Sequence, residues 1–210
     1  APWSPRLVAV DASGSQPKVE PRERLVGVPD MDAMAADLAR GLDVRPGVRV
    51  ERLRRTEMGW QLLGDGGVLL AAADAVLVTA PPAQAATLLA EAPALLAATG
   101  RAEMRPCWAV MLGFAGPAPV DWDGAFVNVG PLSWVARNSS KPGRSGGEAW
   151  VLHAGPAWSH DHIDDDADAV IACLHDALRR LTPGITWPEP VDAAAHRWRF
   201  ALPDPVLEEV

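Results

Sequence analysis

The sequence predicts a mixed α+β and α/β protein, and three patterns carry that prediction. Residues 48–70 contain three short strand-like runs separated by tight turns, which is typical of an antiparallel meander. Residues 76–78 form a continuous apolar run followed by Pro and an Ala-rich segment, which is typical of a buried strand of a parallel sheet that leads into a helix. Beyond residue 105, several strand-like runs accompany a long amphipathic helix.

The elements of the first half follow from local signals. Leu7–Val10 is an apolar run that predicts a strand. Asp30 is a suitable N-cap for a helix over 31–40, in which apolar residues recur at helical spacing before Gly41. The meander strands are expected at 48–54, 60–63 and 68–70, and the buried strand at 75–79 is followed by a helix over about 83–90.

The second half is richer in strands. Apolar runs bounded by Pro, Gly and Asp turns predict strands at 107–114, 124–129, 132–136, 149–153 and 191–200. A helix is expected at 167–181, because its apolar residues lie on one face and Asp164, Asp165 and Asp166 stand at its positive N-terminus.

Composition and charge exclude several classes of function. The net charge is −8 and no dense Lys/Arg block occurs, which argues against a nucleic-acid partner. The longest apolar stretches are broken well short of a membrane span, so no membrane association is expected. Cys107 and Cys173 are too far apart for a metal-binding motif or a disulfide framework, so a reducing cytoplasm is the default location.

Both termini indicate an internal piece of a longer protein. The chain starts at Ala1 without an initiator Met, no secretory signal is visible, and residues 204–210 are polar and Pro-containing with no closing element. We therefore expect cuts or processing points at both ends.

One short motif suggests a hydrolase. Residues 143–147 match the pattern G-x-S-x-G around Ser145, but a nucleophile elbow needs a strand before the serine and a helix after it. Here a Lys-Pro-Gly loop precedes Ser145 and a strand follows, so a mobile loop is the favoured interpretation and a serine hydrolase the less favoured alternative.

Other chemistry-bearing residues have simpler explanations. The acidic and histidine residues at 160–166 open a helix, where carboxylates are expected, so the sequence predicts no metal site. Strand tryptophans are more often packed in cores, and His153 and His196 are more often structural than catalytic. No catalytic acid, base or nucleophile is assigned, and the sequence contains no phosphate-cradling loop.

Several strings taken together resemble the bacterial renalase-like flavoproteins of the amine-oxidase superfamily, in order from about residue 24 to 203. They are Leu25-Val-Gly-Val-Pro-Asp-Met31, Asp74-Ala-Val-Leu-Val-Thr-Ala-Pro-Pro-Ala-Gln84, Arg105-Pro-Cys-Trp-Ala-Val-Met-Leu112, Gly124-Ala-Phe-Val-Asn128, Leu132-Ser-Trp-Val-Ala-Arg-Asn-Ser-Ser-Lys-Pro142, Trp150-Val-Leu-His-Ala154, Trp158-Ser159 and Ala195-His-Arg-Trp-Arg-Phe-Ala-Leu-Pro203.

The resemblance implies two domains. One is a Rossmann-type FAD domain that includes the β-meander and the parallel strand, and the other is an antiparallel-sheet substrate domain with flanking helices that covers the flavin ring. Mapped onto this chain, residues 24–92 are a partial FAD-binding domain, residues 1–23 and 93–203 the substrate domain, and residues 204–210 a linker.

The resemblance also implies cofactor-binding residues. Val50 resembles the residue whose backbone meets the adenine, and Thr79, Ala80 and Pro81 resemble the turn that lies along the cofactor. The family's dinucleotide fingerprint would precede residue 1 and its second flavin motif would follow residue 210. We therefore expect FAD in the full-length protein and no tight FAD binding by this piece, which alone is expected to be inactive.

On the substrate side, the resemblance implies a pocket wall assembled from several strands. Cys107 and Trp108 resemble positions facing the flavin ring, and His153, Trp198 and Arg199 are weaker candidates. The implied reaction transfers hydride from a small-molecule substrate, a dihydronicotinamide isomer or an amine, to the flavin, with O₂ reduced to H₂O₂. It requires no acid–base residue from the protein.

Two further expectations concern surfaces and alternatives. An apolar patch near 76–81 should be exposed, and a homodimer through the surface left by the missing segments would cover it. A non-catalytic binding or interaction domain on the same fold remains an alternative, because these 210 residues hold no complete site.

Overall fold

The computed structural model describes residues 1–12 and 23–204. The strands, in chain order, are β1 (Pro2–Trp3), β2 (Leu7–Val10), β3 (Arg24–Leu25), β4 (Arg52–Thr56), β5 (Gly59–Leu63), β6 (Leu69–Ala73), β7 (Met104–Phe114), β8 (Gly124–Val127), β9 (Leu132–Arg137), β10 (Glu148–Ala154) and β11 (Asp192–Pro203). The α-helices are α1 (Ala33–Leu38), α2 (Pro82–Leu88), α3 (Pro93–Thr99), α4 (Pro156–Asp161) and α5 (Ala167–Arg180).

The chain divides into two compact units. The first contains Ala1–Arg40 and Pro106–Arg199, and the second contains Gly41–Arg105 and Phe200–Val210, as far as those residues are described. These boundaries differ from the predicted division at residues 24 and 92, because α1 clusters with the first unit and α3 with the second.

The first unit is built on a six-stranded mixed sheet with the strand order β11-β7-β10-β9-β8-β2. The pairs β7–β10, β9–β10 and β8–β9 are antiparallel, whereas β2 runs parallel to β8. A two-stranded pair of β1 with β3 accompanies this sheet. The predicted strands beyond residue 105 are therefore confirmed, and β2 adds the parallel pair.

The long helix α5 covers one face of the six-stranded sheet. Its apolar stripe of Val170, Leu174 and Leu178 packs with every second residue of the central strands, including Val110 and Leu152, and all five are 0–1% exposed. Asp166 caps the helix as expected, since its carboxylate accepts a hydrogen bond from the N–H of Ala169 at 2.9 Å. This packing occupies one face of the sheet.

A buried charge network fixes the end of β9. Arg137 donates from Nε to Glu148 at 2.8 Å and lies 3.7 Å from Asp123, while its guanidinium stacks over the indole of Trp150. Burial acts to raise the pKa of Asp123, but hydrogen bonds from Arg6 and the charges of Arg6 and Arg137 outweigh it and hold the pKa below its ordinary value. The network therefore keeps Asp123 ionised inside the fold.

The second unit contains the predicted meander. Strands β4, β5 and β6 pair antiparallel in sequence order, and the turn between β5 and β6 contains Gly66 and Gly67, both at positive φ. Helix α2 begins at Pro82, one residue before its predicted start. Helices α3 and α4 were not predicted, because short segments opened by Pro carry little helical periodicity.

The predicted buried strand at 75–79 is not formed. No described strand pairs with this segment, and the side chain of Leu77 is 94% exposed, while Val76 and Val78 are half-buried. A continuous apolar run indicates that both faces of a segment could be buried. To form a β-strand, the segment also needs backbone hydrogen bonds to a neighbouring strand. The exposed Leu77 agrees with the expected apolar patch near 76–81.

The helix predicted over 31–40 is shorter and more exposed than expected. Helix α1 covers Ala33–Leu38 and none of its residues is buried, with Leu38 80% exposed. Asp30 accepts a hydrogen bond from the N–H of Ala33 at 3.1 Å, although the residue at the N-cap position is Asp32. Within the described residues, no helix is long and apolar enough to cross a membrane.

We expect Leu174→Ala to lower the free energy of unfolding of the first unit by about 2–5 kcal/mol. Leu174 is fully buried between α5 and the sheet, so its truncation removes apolar contacts and leaves a cavity. Urea denaturation monitored by tryptophan fluorescence measures this loss.

The matched control is Leu38→Ala, which makes the same truncation in a helix of the same unit at a side chain that is 80% exposed. Its effect should stay within about 0.5 kcal/mol. Equal losses for the two variants would contradict the placement of α5 on the sheet.

Candidate functional site

The second unit has a cleft of about 780 Å³ between the segment that precedes β4 and helix α2. It is lined by Arg49, Val50, Glu51, Ala80, Ala83, Gln84, Thr87 and Leu88. The lining therefore combines one cation, one carboxylate, an amide and a hydroxyl with small apolar side chains.

Two hydrogen bonds hold the walls of this cleft. The N–H of Glu51 donates to the carbonyl of Leu63 at 2.8 Å, which ties the segment before β4 to the meander. The N–H of Ala85 donates to the carbonyl of Pro81 at 2.8 Å and starts α2 directly after Ala80. Within residues 1–12 and 23–204, no hydrogen bond uses the backbone N–H or C=O of Val50.

The structure brings together two of the four predicted cofactor-binding residues. Val50 and Ala80, which are 30 positions apart in the sequence, line the same cleft. Thr79 and Pro81 flank Ala80 but do not line the cleft. The Pro81 carbonyl accepts the first hydrogen bonds of α2. Their roles toward a cofactor stay predictions.

The first unit has a second candidate surface, the sheet face opposite α5. Side chains alternate along a strand, so the residues between Trp108, Val110, Leu112, Val127, Val135, Trp150 and Leu152 of the core point away from α5. We call this surface the open face, and it comprises Cys107, Met111, Phe126, Trp134, Ala136, Val151 and His153, together with His196 and Trp198 of β11.

Strand register sets which of these side chains are neighbours. His153 of β10 lies between Ala109 of β7 and Trp134 of β9, and Trp134 in turn lies beside Phe126 of β8. The rings of Phe126 and Trp134 are 4.7 Å apart, so the centre of the open face is a row of aromatic side chains.

The predicted substrate-pocket residues divide between the two faces. Cys107 and His153 belong to the open face by strand alternation, and Trp198 belongs to it because its ring contacts that of His196 at 4.4 Å while Arg197 between them points the other way. The guanidinium of Arg197 stacks over Trp108 at 5.5 Å on the side that carries α5.

Trp108 and Arg199 therefore lie on the opposite side of the sheet from Cys107, His153 and Trp198. Trp108 is 4% exposed in the core, and its indole N–H donates to the carbonyl of His162 at 2.9 Å. Arg199 forms an ion pair with Asp164, just before α5, at 3.1 Å. Both side chains serve the packing of the helical side of the sheet in this structure.

The environment of the open face favours neutral side chains. Burial, with a smaller contribution from the charge of Lys141, lowers the pKa of His153, so the neutral imidazole is favoured. Burial raises the pKa of the Cys107 thiol, which favours the protonated and unreactive form. The face consequently offers an apolar, aromatic and uncharged surface at its centre.

The motifs with alternative explanations behave as local structure. Ser145 is exposed in the loop between a 3-10 turn at Asn138–Ser140 and strand β10, so no helix follows it as a nucleophile elbow requires. His162 pairs with Asp165 at 2.7 Å, and no group of three metal-ligating side chains converges among the described residues.

Sequence reasoning missed Trp3, Trp134 and Lys141 as possible ligand-facing residues. The sequence favoured core packing for Trp134, but strand alternation places it on the face opposite its core neighbour Val135. Lys141 carried a weaker signal, since it was noted only as part of the string that ends at Pro142. The sequence around Trp3 contains no pattern that indicates which part of the fold its side chain contacts.

Comparison with known proteins identifies a family model. Residues 19–203 match the model described as flavin containing amine oxidoreductase. This match extends over most of the 210 residues and includes both units.

Solved structures share the fold at low sequence identity. A protein from Exiguobacterium sp. 255-15, named as a protoporphyrinogen oxidase, is 18% identical with a TM-score of 0.68, and the match covers 83% of this chain and 40% of that one. Wild-type putrescine oxidase bound to putrescine is 16% identical with a TM-score of 0.56, covering 85% and 40%. Cyclohexylamine oxidase from Brevibacterium oxydans IH-35A is 15% identical with a TM-score of 0.55, covering 71% and 34%.

These similarities establish the fold and its extent. The chain spans 40% or less of the length of each of these three proteins. At such identities, the substrates named for them belong to those proteins, and the likeness confirms the mixed α+β architecture expected from the sequence.

We expect the free energy of unfolding to fall as the pH drops below 6.5, in part because of His153. Its pKa is lowered in the folded state from an ordinary value of 6.5, so the unfolded chain binds the proton first and acid favours unfolding. Burial and Arg179 lower the pKa of His175 in the same direction. Urea denaturation across this pH range measures the slope, which should be shallower in His153→Gln.

The control is His160→Gln, which alters an exposed histidine of the same unit. Its pH slope should match that of the unchanged chain. The unfolding free energy of His153→Gln could instead depend on pH as steeply as that of the unchanged chain. That result would show that the imidazole of His153 ionises freely, and it would contradict the burial that lowers its pKa.

Proposed function

The chain belongs to the flavin-containing amine oxidoreductase family, and on that premise we propose that it is part of an FAD-dependent oxidoreductase that removes hydride from a small-molecule substrate. The observation that carries this proposal is the cleft in which Val50 and Ala80 meet. The family resemblance implies a cofactor contact for each of these residues, and the two line the same cleft.

The cleft suits the adenosine end of FAD. An adenine ring presents an acceptor and a donor side by side on one edge, and a backbone N–H and C=O of one residue form the complementary pair. The backbone groups of Val50 have no hydrogen-bond partner within the described residues and so offer such a pair. Arg49, Glu51, Gln84 and Thr87 add polar groups at the rim for a ribose or a phosphate.

On the first unit, taken by itself, the open face suits a substrate. A bound flavin would supply the two-electron acceptor for a hydride lost from a substrate C–H bond, with O₂ as the final oxidant, reduced to H₂O₂. The residues of this chain would orient the substrate between aromatic side chains and exclude water. The lowered pKa of His153 and the raised pKa of Cys107 favour the uncharged form of each side chain, so neither would place a charge beside a bound substrate.

The proposed substrates are a dihydronicotinamide, as in renalase-like enzymes, or an amine. Hydride loss from a dihydronicotinamide restores an aromatic ring and needs no base from the protein, and no acid–base residue is assigned in this chain. The oxidation of a protonated amine first requires loss of a proton, for which no acceptor is assigned.

The longer protein that contains this chain should show visible flavin absorption bands after purification. Ala83→Trp should weaken FAD retention by roughly 10-fold or more, because an indole at this exposed cleft position occupies space that the adenosine would fill. Release of flavin during dialysis, followed by absorbance, measures the retention.

Ala90→Trp is the matched control, since Ala90 is exposed just beyond α2 and does not line the cleft. It should retain the flavin of the unchanged protein. A colourless longer protein would overturn the proposal and favour a non-catalytic binding domain on the same fold.

The 210-residue chain by itself should bind FAD weakly, with a dissociation constant well above micromolar in a fluorescence titration. Tight dinucleotide binding uses backbone N–H groups of a Gly-rich turn on the pyrophosphate, and the sequence has no such turn. Each charge-assisted hydrogen bond that is missing removes roughly 1.5–3 kcal/mol. Submicromolar binding would show that the phosphate site lies within this chain.

A further inference from the structure

A cleft of about 400 Å³ lies over the β9 part of the open face, wholly within the first unit. Its floor is formed by Trp134 and Ala136, and its walls by Trp3, Arg24, Leu25, Val26, Met31 and Lys141. Two indoles and two cations thus face one space, and no carboxylate lines it.

Among residues 1–12 and 23–204, no acidic side chain pairs with the charges in this cleft. Neither Arg24 nor Lys141 forms a salt bridge with any described residue, in contrast to Arg6, Arg137 and Arg199. The ammonium of Lys141 donates to the side-chain oxygen of Asn138 at 3.1 Å and lies 5.6 Å from the centre of the Trp3 ring. Within the part of the chain that the structure describes, one of its three N–H donors is used by a hydrogen bond.

A further cation makes this unpaired charge more costly. Burial, with a contribution from the charge of Arg144, lowers the pKa of Lys141, and the charge of Lys141 in turn acts on His153. Arg144 itself is held by the carbonyls of Gly27 and Pro29. Neighbouring positive groups repel one another when no carboxylate lies between them. A bound anion would reduce this repulsion, so the cleft is suited to bind one.

The fold holds Lys141 in this position from both sides. The indole N–H of Trp3 donates to Ser140 at 3.1 Å, so the residue next to Lys141 is tied to the cleft wall. Gly143 has a φ of 74°, and a Cβ there would lie 2.5 Å from Val28, which leaves no room for a side chain. The loop that carries Lys141 is therefore packed closely against the segment at 24–31.

We propose that this cleft binds the anionic group, a carboxylate or phosphate, of a substrate whose planar ring packs against Trp3 and Trp134. Lys141 and Arg24 contact the anion, and the two indoles hold the ring beside the open face. The cleft therefore selects a planar anion over an amine, which as a cation is repelled by both groups. The identification of this ligand as a substrate rests on the proposed function.

The test uses four ligands that share one ring system: naphthoate, naphthyl phosphate, the neutral naphthamide and the cationic naphthylmethylamine. Their binding to the 210-residue chain is measured by isothermal titration calorimetry without flavin. At least one of the two anions should bind about 10-fold or more tightly than the amide, and the amine should bind most weakly. The tighter of the two anions identifies the group that the cleft takes.

Substitutions separate the charge from the packing. Lys141→Gln should weaken binding of the preferred anion by about 10-fold and leave binding of naphthamide within about 2-fold, whereas Lys141→Arg should retain most of the affinity. Arg24→Gln should act like Lys141→Gln. Arg101→Gln removes an exposed charge that does not line this cleft, so it should change neither affinity.

Equal affinities for the anions and the amide, tightest binding of the amine, or no binding of any ligand would each overturn the proposal. So would an equal loss of anion and amide binding in Lys141→Gln, which would assign Lys141 to structure alone. Because the measurement requires no flavin, its outcome is independent of the absorption spectrum of the longer protein. A colourless longer protein with intact anion binding would refute the proposed function and leave the anion site standing.

Discussion

The packing of α5 on one face of the six-stranded sheet is the constraint on which the rest of the first unit depends. The side chains of Trp150, Leu152, Leu174 and Leu178 are fully buried, and their burial contributes to the apolar stabilisation of this unit. Because side chains alternate along each strand, this packing also decides what the other face displays. Cys107, His153 and Trp134 reach the open face because their neighbours in sequence are committed to the core.

The charge network at the end of β9 links this core to the candidate anion site. Arg137 is satisfied by Glu148 and Asp123, and Glu148 also accepts a hydrogen bond from Ser139 at 3.1 Å. The 3-10 turn at Asn138–Ser140 is thereby fixed directly before Lys141. Arg137 is therefore paired with carboxylates and has a structural role. Lys141, four residues later, has no carboxylate partner among the described residues.

In the second unit, the cleft lined by Val50 and Ala80 lies next in sequence to a segment, residues 75–79, that pairs with no described strand. Val50 and Ala80 line a cleft whose walls are held by the meander and by α2. Between the meander and Ala80, residues 75–79 form no strand, and Leu77 is exposed. This apolar segment pairs with no strand among the described residues, and the chain spans 40% or less of the length of three solved proteins that it resembles.

The sequence by itself determined the elements that rest on local signals. The 3.6-residue period and the Asp166 cap located α5, and the Gly-containing turns located the meander, because both depend on residues close together in the chain. Family resemblance supplied the flavin assignment and the expectation that Val50, Thr79, Ala80 and Pro81 contact the cofactor. Only the tertiary structure decided which face each strand residue occupies, and so separated Trp108 and Arg199 from Cys107, His153 and Trp198. It also decided that 75–79 stays unpaired and that Trp3, Arg24 and Lys141 meet over Trp134, since strand pairing and charge pairing depend on partners distant in sequence, which no local pattern encodes.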